Sequence, residues 1–226
     1  MRCIETCVNQ IDEHVSGVEH YDPTYMSHGR AYSFAAQLDA VLSVSPMSVL
    51  EVGVGTGICA LAMRRLGVTV TTLDVQAALS PDILGDVRAI PREAQSFEVS
   101  SCCQVLEHLP FDQFVPAVRE LHRVTRTRLV LSLPDTTRGF ECALVLPRIG
   151  LKRFSCVIPT RAPNAAWRAE RLETMGHYWE IGVDGISART IVRALRAVGF
   201  ASIQTFRVRE LQWHRFFVAD LAPTSR

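Results

Sequence analysis

Apolar residues along the chain fall into two rhythms. Short runs of strand length, at Ser48 to Val52, Val68 to Leu73, Asp82 to Gly85, Phe97 to Cys103 and Arg128 to Leu133, alternate with stretches of helical period. Runs of that kind suit strands covered on both faces, and their alternation with helices predicts an α/β architecture with a mostly parallel sheet. Ile58 to Leu66 predicts a helix closed by Gly67, since glycine takes the left-handed conformation of a C-cap at little cost. Asp112 to Val124 predicts another, with Asp112 as N-cap and Phe114, Val118 and Leu121 on one face. A further helix spans Ser187 to Val198, turns Ile191, Leu195 and Val198 inward, and stops at Gly199; an earlier one ends near Leu42. The last two strands, Ala201 to Val208 and His214 to Leu221, stand too close for a crossover helix and should pair antiparallel as a hairpin.

Between Pro134 and Gly182 the rhythm breaks. Nearly fifty residues there contain Pro147, Pro159 and Pro163 and predict no strand, so an insertion with small helices of its own is expected. Its Phe140, Leu144, Leu146, Phe154 and Trp167 are candidates to line a cavity or to pack a helical cap. With 226 residues, no repeat and no low-complexity linker, residues 1–226 are expected to form a single domain. Lys and Arg total 24 against 23 Asp and Glu, which removes any overall electrostatic drive toward nucleic acid or an anionic membrane. Charged residues enter within the first five positions and no apolar run approaches about 18 residues, so neither a signal peptide nor a membrane span is expected. Seven scattered cysteines without a CxxC pair suggest a reducing, cytoplasmic setting; Cys3 and Cys7 lack the second pair a zinc site needs. Arg123, Arg126 and Arg128 have no interleaved aromatics and read as solvated surface.

The most informative segment is Val49-Leu50-Glu51-Val52-Gly53-Val54-Gly55-Thr56-Gly57, a buried strand entering a glycine-rich turn and then a helix. Such a turn lets a ligand approach the backbone, and the helix start beyond it offers unpaired N–H groups. In open α/β sheets this point lies at the carboxyl ends of the strands, where ligands bind. Asp74 closes the second strand, and its carboxylate can accept both hydroxyls of a ribose. Together these features point to a nucleoside ligand. The dinucleotide fingerprint G-x-G-x-x-G fails, because Ile58 stands where its third glycine belongs.

The sequence resembles the class I S-adenosylmethionine-dependent methyltransferases, in particular the small-molecule branch that includes ubiquinone-biosynthesis type enzymes. The resemblance rests on Glu51, Gly53, Gly55 and Gly57, on Asp74, on Gly85-Asp86-Val87, and on Phe97-Glu98-Val99 leading to Gln104-Val105-Leu106-Glu107-His108-Leu109. It covers roughly residues 45 to 135 and, more loosely, the terminal hairpin. It implies a doubly wound, seven-stranded, Rossmann-like sheet whose last strand is antiparallel. It also implies S-adenosylmethionine as cofactor and transfer of a methyl group to an oxygen or nitrogen of a small molecule. Gly53 to Gly57 would approach the methionyl part, Glu51 its amino group and Arg30 its carboxylate; Asp74 would take the ribose. Asp86 would accept from the adenine amino group, Val87 donate to the ring, and Val75 and Val87 sandwich the base; Gln104 adjoins the cofactor. The first 45 residues would fold over the cofactor, and residues 134–182 over the substrate. A nicotinamide-dependent oxidoreductase and a noncatalytic subunit of the same fold are the alternatives.

For an oxygen or nitrogen acceptor that must lose a proton, histidine is the natural base. His108 follows the fourth strand at the rim where the methyl group arrives, although Glu107-His108 could equally be a structural pair. In some metal-assisted relatives an E-x-x-E-H segment, completed by a further histidine, holds a divalent ion. Gln104 replaces the first Glu here, and no metal is expected. His177, in Gly176-His177-Tyr178-Trp179-Glu180, could orient or deprotonate the substrate; alternatively Tyr178 and Trp179 pack the insertion and leave His177 exposed. The expected partner is a small-molecule acceptor, without nucleic acid or membrane, and the assembly is compatible with a homodimer.

Overall fold

Val49, Leu50 and Val52 are sealed from solvent on both sides of β1 (Ser48–Val52), as a strand between two helical layers requires. The computed structural model describes residues 25–137, 139–146, 150–157 and 165–222, with only the backbone described for 139–146 and 150–157. Beside β1 stand β2 (Thr69–Asp74), β3 (Ile83–Leu84), β4 (Phe97–Cys103) and β5 (Thr125–Pro134). After β6 (Gly139–Leu146) and β7 (Gly150–Val157) the chain ends its strands with β8 (Ser202–Val208) and β9 (Leu211–Asp220). The main sheet has seven strands in the order β3-β2-β1-β4-β5-β9-β8. Neighbours from β3 to β5 pair parallel, whereas β9 is antiparallel to both β5 and β8, so one strand alone is reversed.

Alternate residues of each strand serve two separate cores. On one face α1 (His28–Leu42) and α2 (Ile58–Arg65) cover Val49, Val70, Val99, Val130 and Phe216. On the other, α3 (Phe114–Val124) and α5 (Ala188–Val198) cover Leu50, Leu73, Leu129, Leu131 and Phe217. Phe114, Ala117, Val118, Leu121 and Val124 form one buried stripe at helical spacing. Gly67 closes α2 as expected: at φ +86° its N–H donates to the Arg64 carbonyl while that of Val68 reaches Met63. Ser187 caps α5 by accepting from the Thr190 N–H at 3.2 Å.

Three expectations are corrected. Asp112 is not the N-cap of α3; it lies in a 3-10 turn, Phe111–Gln113, and Gln113 takes the cap position without a side-chain bond. Stacking of Phe111 on Phe114 at 5.9 Å accompanies this tighter entry. The insertion is not devoid of strands, because β6 and β7 pair antiparallel from Gly139↔Val157 to Leu146↔Gly150 as a separate two-stranded sheet. Pro147, Pro159 and Pro163 fall outside these strands in sequence rather than within them, and Phe140, Cys142 and Leu144 recur with the period of two. A helix, α4 (Ala165–Met175), follows. Arg128 is not solvated surface: its guanidinium meets Asp220 at 2.6 Å and also donates to Ser43 and the Ala40 carbonyl, tying β5 and β9 to the end of α1. Cys3 and Cys7 lie outside the described residues.

Candidate active site

The sheet reverses direction of growth between β1 and β4, and a cleft opens at their carboxyl ends, as expected for a doubly wound sheet. Three glycines make the turn after β1: Gly53 at φ +84°, Gly55 at +50° and Gly57 at +70°, the last as N-cap of α2. Gly53 is also confined sterically, since a Cβ there would stand 2.4 Å from Cγ2 of Val105. Asp74, at the end of β2, braces the turn. Its Oδ2 accepts from the Val54 N–H at 2.8 Å, and its Oδ1 from the Gln76 N–H at 2.9 Å.

Gly53, Gly55, Asp74, Val75, Asp86, Val87, Gln104 and His108 all line this first cleft, as do Tyr25, Leu79 and Leu109. Asp86 has a fixed local partner: Nε of Arg88 meets both carboxylate oxygens at 3.0 Å. Gln104 is a non-glycine residue at φ +56°, held by its Nε2 on the Ser132 hydroxyl at 3.1 Å and its N–H on the Ser132 carbonyl. That anchored turn carries the chain from β4 across the cleft floor.

A second pocket adjoins the glycine turn on the α1 side and is lined by Arg30, Ser33, Gln37, Glu51, Thr56 and His214, among others. Glu51 is 4% exposed; its Oε1 accepts from Gln37 at 3.0 Å, and its Oε2 is buried with no partner. Burial pushes its carboxyl up to about 7, against the opposing Gln37 hydrogen bond and Arg64 charge. His214 is buried against the Ser33 hydroxyl at 2.7 Å, and burial, reinforced by the charges of Arg30 and His177, draws its ring down to about 4. The Arg30 guanidinium lies 3.8 Å over the Tyr25 ring, which holds it at the pocket mouth. Two parts of the expected site therefore occupy two connected recesses, with Gly53, Gly55 and Gln104 bordering both.

Beyond Gln104 the 3-10 turn Leu106–His108 meets the segment that follows α4. The Tyr178 N–H donates to the Glu107 carbonyl at 2.9 Å, and Ile181 joins Asp135 in a parallel bridge. This strap brings His177 to His108, with ring centroids 5.1 Å apart and edge-on. His108 Nδ1 lies 3.2 Å from the Gly176 carbonyl, and His177 Nδ1 lies 2.7 Å from Glu180 Oε1. Glu107 is fully buried with neither carboxylate oxygen partnered; burial pushes it up to about 7, with His177 opposing. Of Tyr178 and Trp179, only Trp179 packs, and His177 is not left exposed: Trp179 is 4% exposed, donates to the Leu109 carbonyl at 2.9 Å and meets Phe111 and Phe114 edge-on, while the His177 side chain is largely covered. Tyr178 is exposed, and Trp167 faces Arg171 rather than either recess.

Residues 50–131 match the family model described as methyltransferase domain. Those residues carry a methyltransferase domain. The chain is an enzyme that uses S-adenosylmethionine, which decides between that cofactor and the nicotinamide dinucleotide weighed from the glycine spacing. No curated protein sequence matches it. Among solved structures the methyltransferase resembles magnesium protoporphyrin IX methyltransferase of Synechocystis PCC 6803 with bound S-adenosylhomocysteine. Identity is 14% over 96% of this chain and 100% of that one, at a TM-score of 0.62. It also resembles the 1,6-didemethyltoxoflavin-N1-methyltransferase of Burkholderia thailandensis, solved with that compound and S-adenosylhomocysteine. There identity is 17% over 96% and 89% of the two chains, at a TM-score of 0.58. Against a putative O-methyltransferase of Nostoc punctiforme PCC 73102 identity is 14% over 85% of this chain, at a TM-score of 0.55, but the match spans only 58% of that longer chain. These likenesses establish the shared fold.

The residues of this methyltransferase fit its cofactor on a physical ground: the one unpartnered oxygen of Glu51 is buried in the recess beside the glycine turn, where an ammonium would complete it. Gln37, Ser33 and His214 were not singled out in the sequence. Gln37 and Glu51 are 14 residues apart and Ser33 and His214 are 181, so no local spacing could show them. The available signal was a pair of polar residues, Ser33 and Gln37, four apart on the inward face of α1 beside Ala40 and Val41.

Proposed function

We propose that this enzyme methylates an oxygen or nitrogen atom of a small molecule, with His108 and His177 beside the acceptor. One observation carries the reading: two imidazoles meet at 5.1 Å where the cofactor cleft leaves Gln104 and Val105, and His108 lines that cleft. An oxygen or nitrogen acceptor commonly has to lose a proton, and imidazole is the side chain suited to take it near neutral pH. The Glu180 carboxylate accepts from His177 Nδ1–H, which fixes the ring's tautomer and leaves Nε2 to receive that proton. The solved relatives named for N1-methylation of didemethyltoxoflavin and for putative O-methylation support the acceptor class by analogy of fold.

S-adenosylmethionine, when bound, supplies a methyl group already activated by the positive sulfonium, so orientation can account for a large share of the acceleration, up to about 7 to 11 kcal/mol. Glu51 would meet its amino group and Arg30 its carboxylate, with Gly53, Gly55 and Gly57 giving the backbone room between them. Asp74 would take the ribose hydroxyls through the lone pairs left by Val54 and Gln76. Val75 and Val87 would enclose the adenine, and Asp86 would accept from its amino group while shared with Arg88. Gln104 would hold the floor between sugar and sulfur. In this reading residues 1–226 act as one domain, with 1–45 over the cofactor and 134–182 over the acceptor; α1 supplies Arg30, Ser33 and Gln37, and the insertion supplies His177. Among the described residues no helix is long and apolar enough to cross a membrane. A cytoplasmic enzyme without nucleic-acid or membrane partners, monomeric or homodimeric, completes the proposal.

Methyl transfer from labelled donor to a panel of phenols, alcohols and nitrogen heterocycles tests it, with label expected on oxygen or nitrogen. Label confined to carbon acceptors or to macromolecules would overturn it. With an accepted substrate, His177→Ala should lower kcat by about a hundredfold or more while cofactor affinity holds within about twofold. Equal turnover would remove His177 from the chemistry.

Glu51 makes a separate prediction. Its pKa is higher in the folded chain than in the unfolded one, so the fold binds the extra proton and loses stability as pH rises from about 4.5 to about 7. The loss is on the order of 3 kcal/mol when complete. Glu51→Gln should therefore raise the Tm of the cofactor-free enzyme at about pH 8 and leave it unchanged at about pH 4. Pairing with the cofactor's ammonium reverses the shift, so at about pH 6 binding should release close to one proton from the wild type and none from Glu51→Gln. Calorimetry in two buffers of different ionisation enthalpy measures this, and equal proton release from both proteins would count against the pairing.

A further inference from the structure

We propose that His214, from the last strand, holds the carboxylate of the cofactor's methionyl end together with Arg30, and thereby selects S-adenosylmethionine over its decarboxylated form. The inference rests on the reading that places Arg30 on that carboxylate, and deepens it. His214, Arg30 and Glu51 all line the second recess. An α-amino acid group carries its ammonium and its carboxylate on one carbon, so a recess that recognises it needs an anionic acceptor and hydrogen-bond donors close together. Oε2 of Glu51, buried without a partner, is the acceptor; the guanidinium of Arg30 and the imidazole of His214 are the donors.

The tautomer of His214 is set by its neighbour. Nδ1 lies 2.7 Å from the Ser33 hydroxyl, and both side chains are buried. Among the described residues Nδ1 is the one side-chain partner of that hydroxyl, and a buried hydroxyl proton left unmet costs free energy, so the O–H donates to Nδ1. A neutral ring whose Nδ1 accepts carries its proton on Nε2. Nε2 has no partner among the described residues and is left for the recess that the ring lines. Burial and the nearby Arg30 charge keep the ring neutral at working pH, so this donor persists. Arg30 makes no ion pair among the described residues, and its seat over the Tyr25 ring holds the guanidinium in place without using its N–H groups.

A histidine that merely filled the space between β9 and α1 would leave one ring nitrogen unmet at the recess, a state that buried polar groups rarely keep without a ligand or water. Two half-satisfied groups of opposite demand, Glu51 and His214, share that recess. Decarboxylated S-adenosylmethionine retains the adenosine, the sulfonium and the amino group, so Asp74, the glycine turn and Glu51 would receive it as before. Arg30 and His214 alone would face the missing group. Donors stranded in that way are how a site rejects an analogue lacking one polar group. Ser33, which acts through the ring, is a positioning residue.

Calorimetric titration of the full chain with S-adenosylhomocysteine and with its decarboxylated analogue tests the assignment. The wild type should prefer the carboxylated ligand by about a hundredfold or more. His214→Phe should weaken S-adenosylhomocysteine about 10- to 100-fold and the analogue by no more than about twofold, so the preference shrinks. His214→Gln, whose amide NH2 can still donate, should restore part of it. Combining His214→Phe with Ser33→Ala removes the hydroxyl that the single variant strands, and should show the same loss of preference in a protein whose Tm stays closer to wild type. The 15N spectrum of the cofactor-free wild type should place the His214 ring proton on Nε2, and Ser33→Ala should mix the two tautomers and reduce the preference. A proton on Nδ1, or equal weakening of both ligands in the variants, would leave His214 a structural role and overturn the proposal. A preference kept intact in His214→Phe would overturn it while the assignment of Arg30 stands; a wild type that binds both ligands equally would fell the two together.

Discussion

Gly53→Ala should cut affinity for S-adenosylhomocysteine by at least about thirtyfold and lower the Tm of the cofactor-free protein. Two costs combine. The residue sits at φ +84°, a left-handed conformation that an alanine holds only at about 1 kcal/mol or more. The added Cβ would also stand 2.4 Å from Cγ2 of Val105, an overlap that neighbours can relieve only by moving, at about 1–3 kcal/mol. Val105 belongs to the turn after β4 and itself lines the cleft, so displacement on either side disturbs the wall that meets the cofactor. Gly57→Ala is the control: its φ is +70° but the added Cβ meets nothing within 4 Å, so only the conformational cost applies. Gly53→Ala combined with Val105→Ala should recover part of the lost affinity. A Gly53→Ala protein with wild-type affinity and Tm would show that the turn is looser than its geometry implies.

Asp74→Ala should weaken cofactor binding more than about tenfold and also lower Tm by a few degrees. The first effect follows from losing charge-assisted bonds to ribose, worth roughly 1.5 to 3 kcal/mol. The second follows from the structure: without the carboxylate, the Val54 N–H loses its acceptor at 2.8 Å, and the glycine turn loses its brace to β2. Asp74→Asn separates the two in part, since its amide oxygen can still accept from Val54, although its NH2 cannot accept from the Gln76 N–H, while the charge toward the sugar is gone. Its Tm should fall less than that of Asp74→Ala while affinity falls. Calorimetry and thermal unfolding on the two variants check both, and unchanged affinity in a folded Asp74→Ala protein would remove this residue from the ribose site.

Features governed by local chemistry were legible in the chain. β1 and β4 begin and end where mainly apolar runs of strand length do, despite Ser48 and Glu51 in the first and Glu98, Ser100 and Ser101 in the second, because strands buried on both faces leave such a segment. Gly67 and Ser187 were readable as helix ends since capping depends on one or two residues. The entry to α3 was not: Asp112 has the chemistry of a cap, but aromatic packing of Phe111 against Phe114 and Trp179 placed it in a tighter turn. The hairpin of β6 and β7 was hidden by proline-rich flanks and by charges at Glu141, Lys152 and Arg153. In the site the same division holds. The glycine turn and Asp74 declare themselves within one short span of chain, from Val49 to Asp74, because a strand, its turn and the next strand follow one another there.

Long-range partners had no such signature. Glu51 was visible in its strand, but its isolation from water depends on Gln37 from another element. His108 and His177 were each singled out, yet their edge-on contact arises from the strap that follows α4.

The hydrogen bond between Ser33 and His214 joins the first described helix to the last described strand. During synthesis α1 can form early, but it has no β9 to rest on until residue 214 and its neighbours have left the ribosome. The recess beside Glu51, walled by both, therefore matures only after β9 has emerged. A nascent chain arrested before β9 would display the apolar rim of β5 as an unprotected edge, open to chaperones and to its own kind.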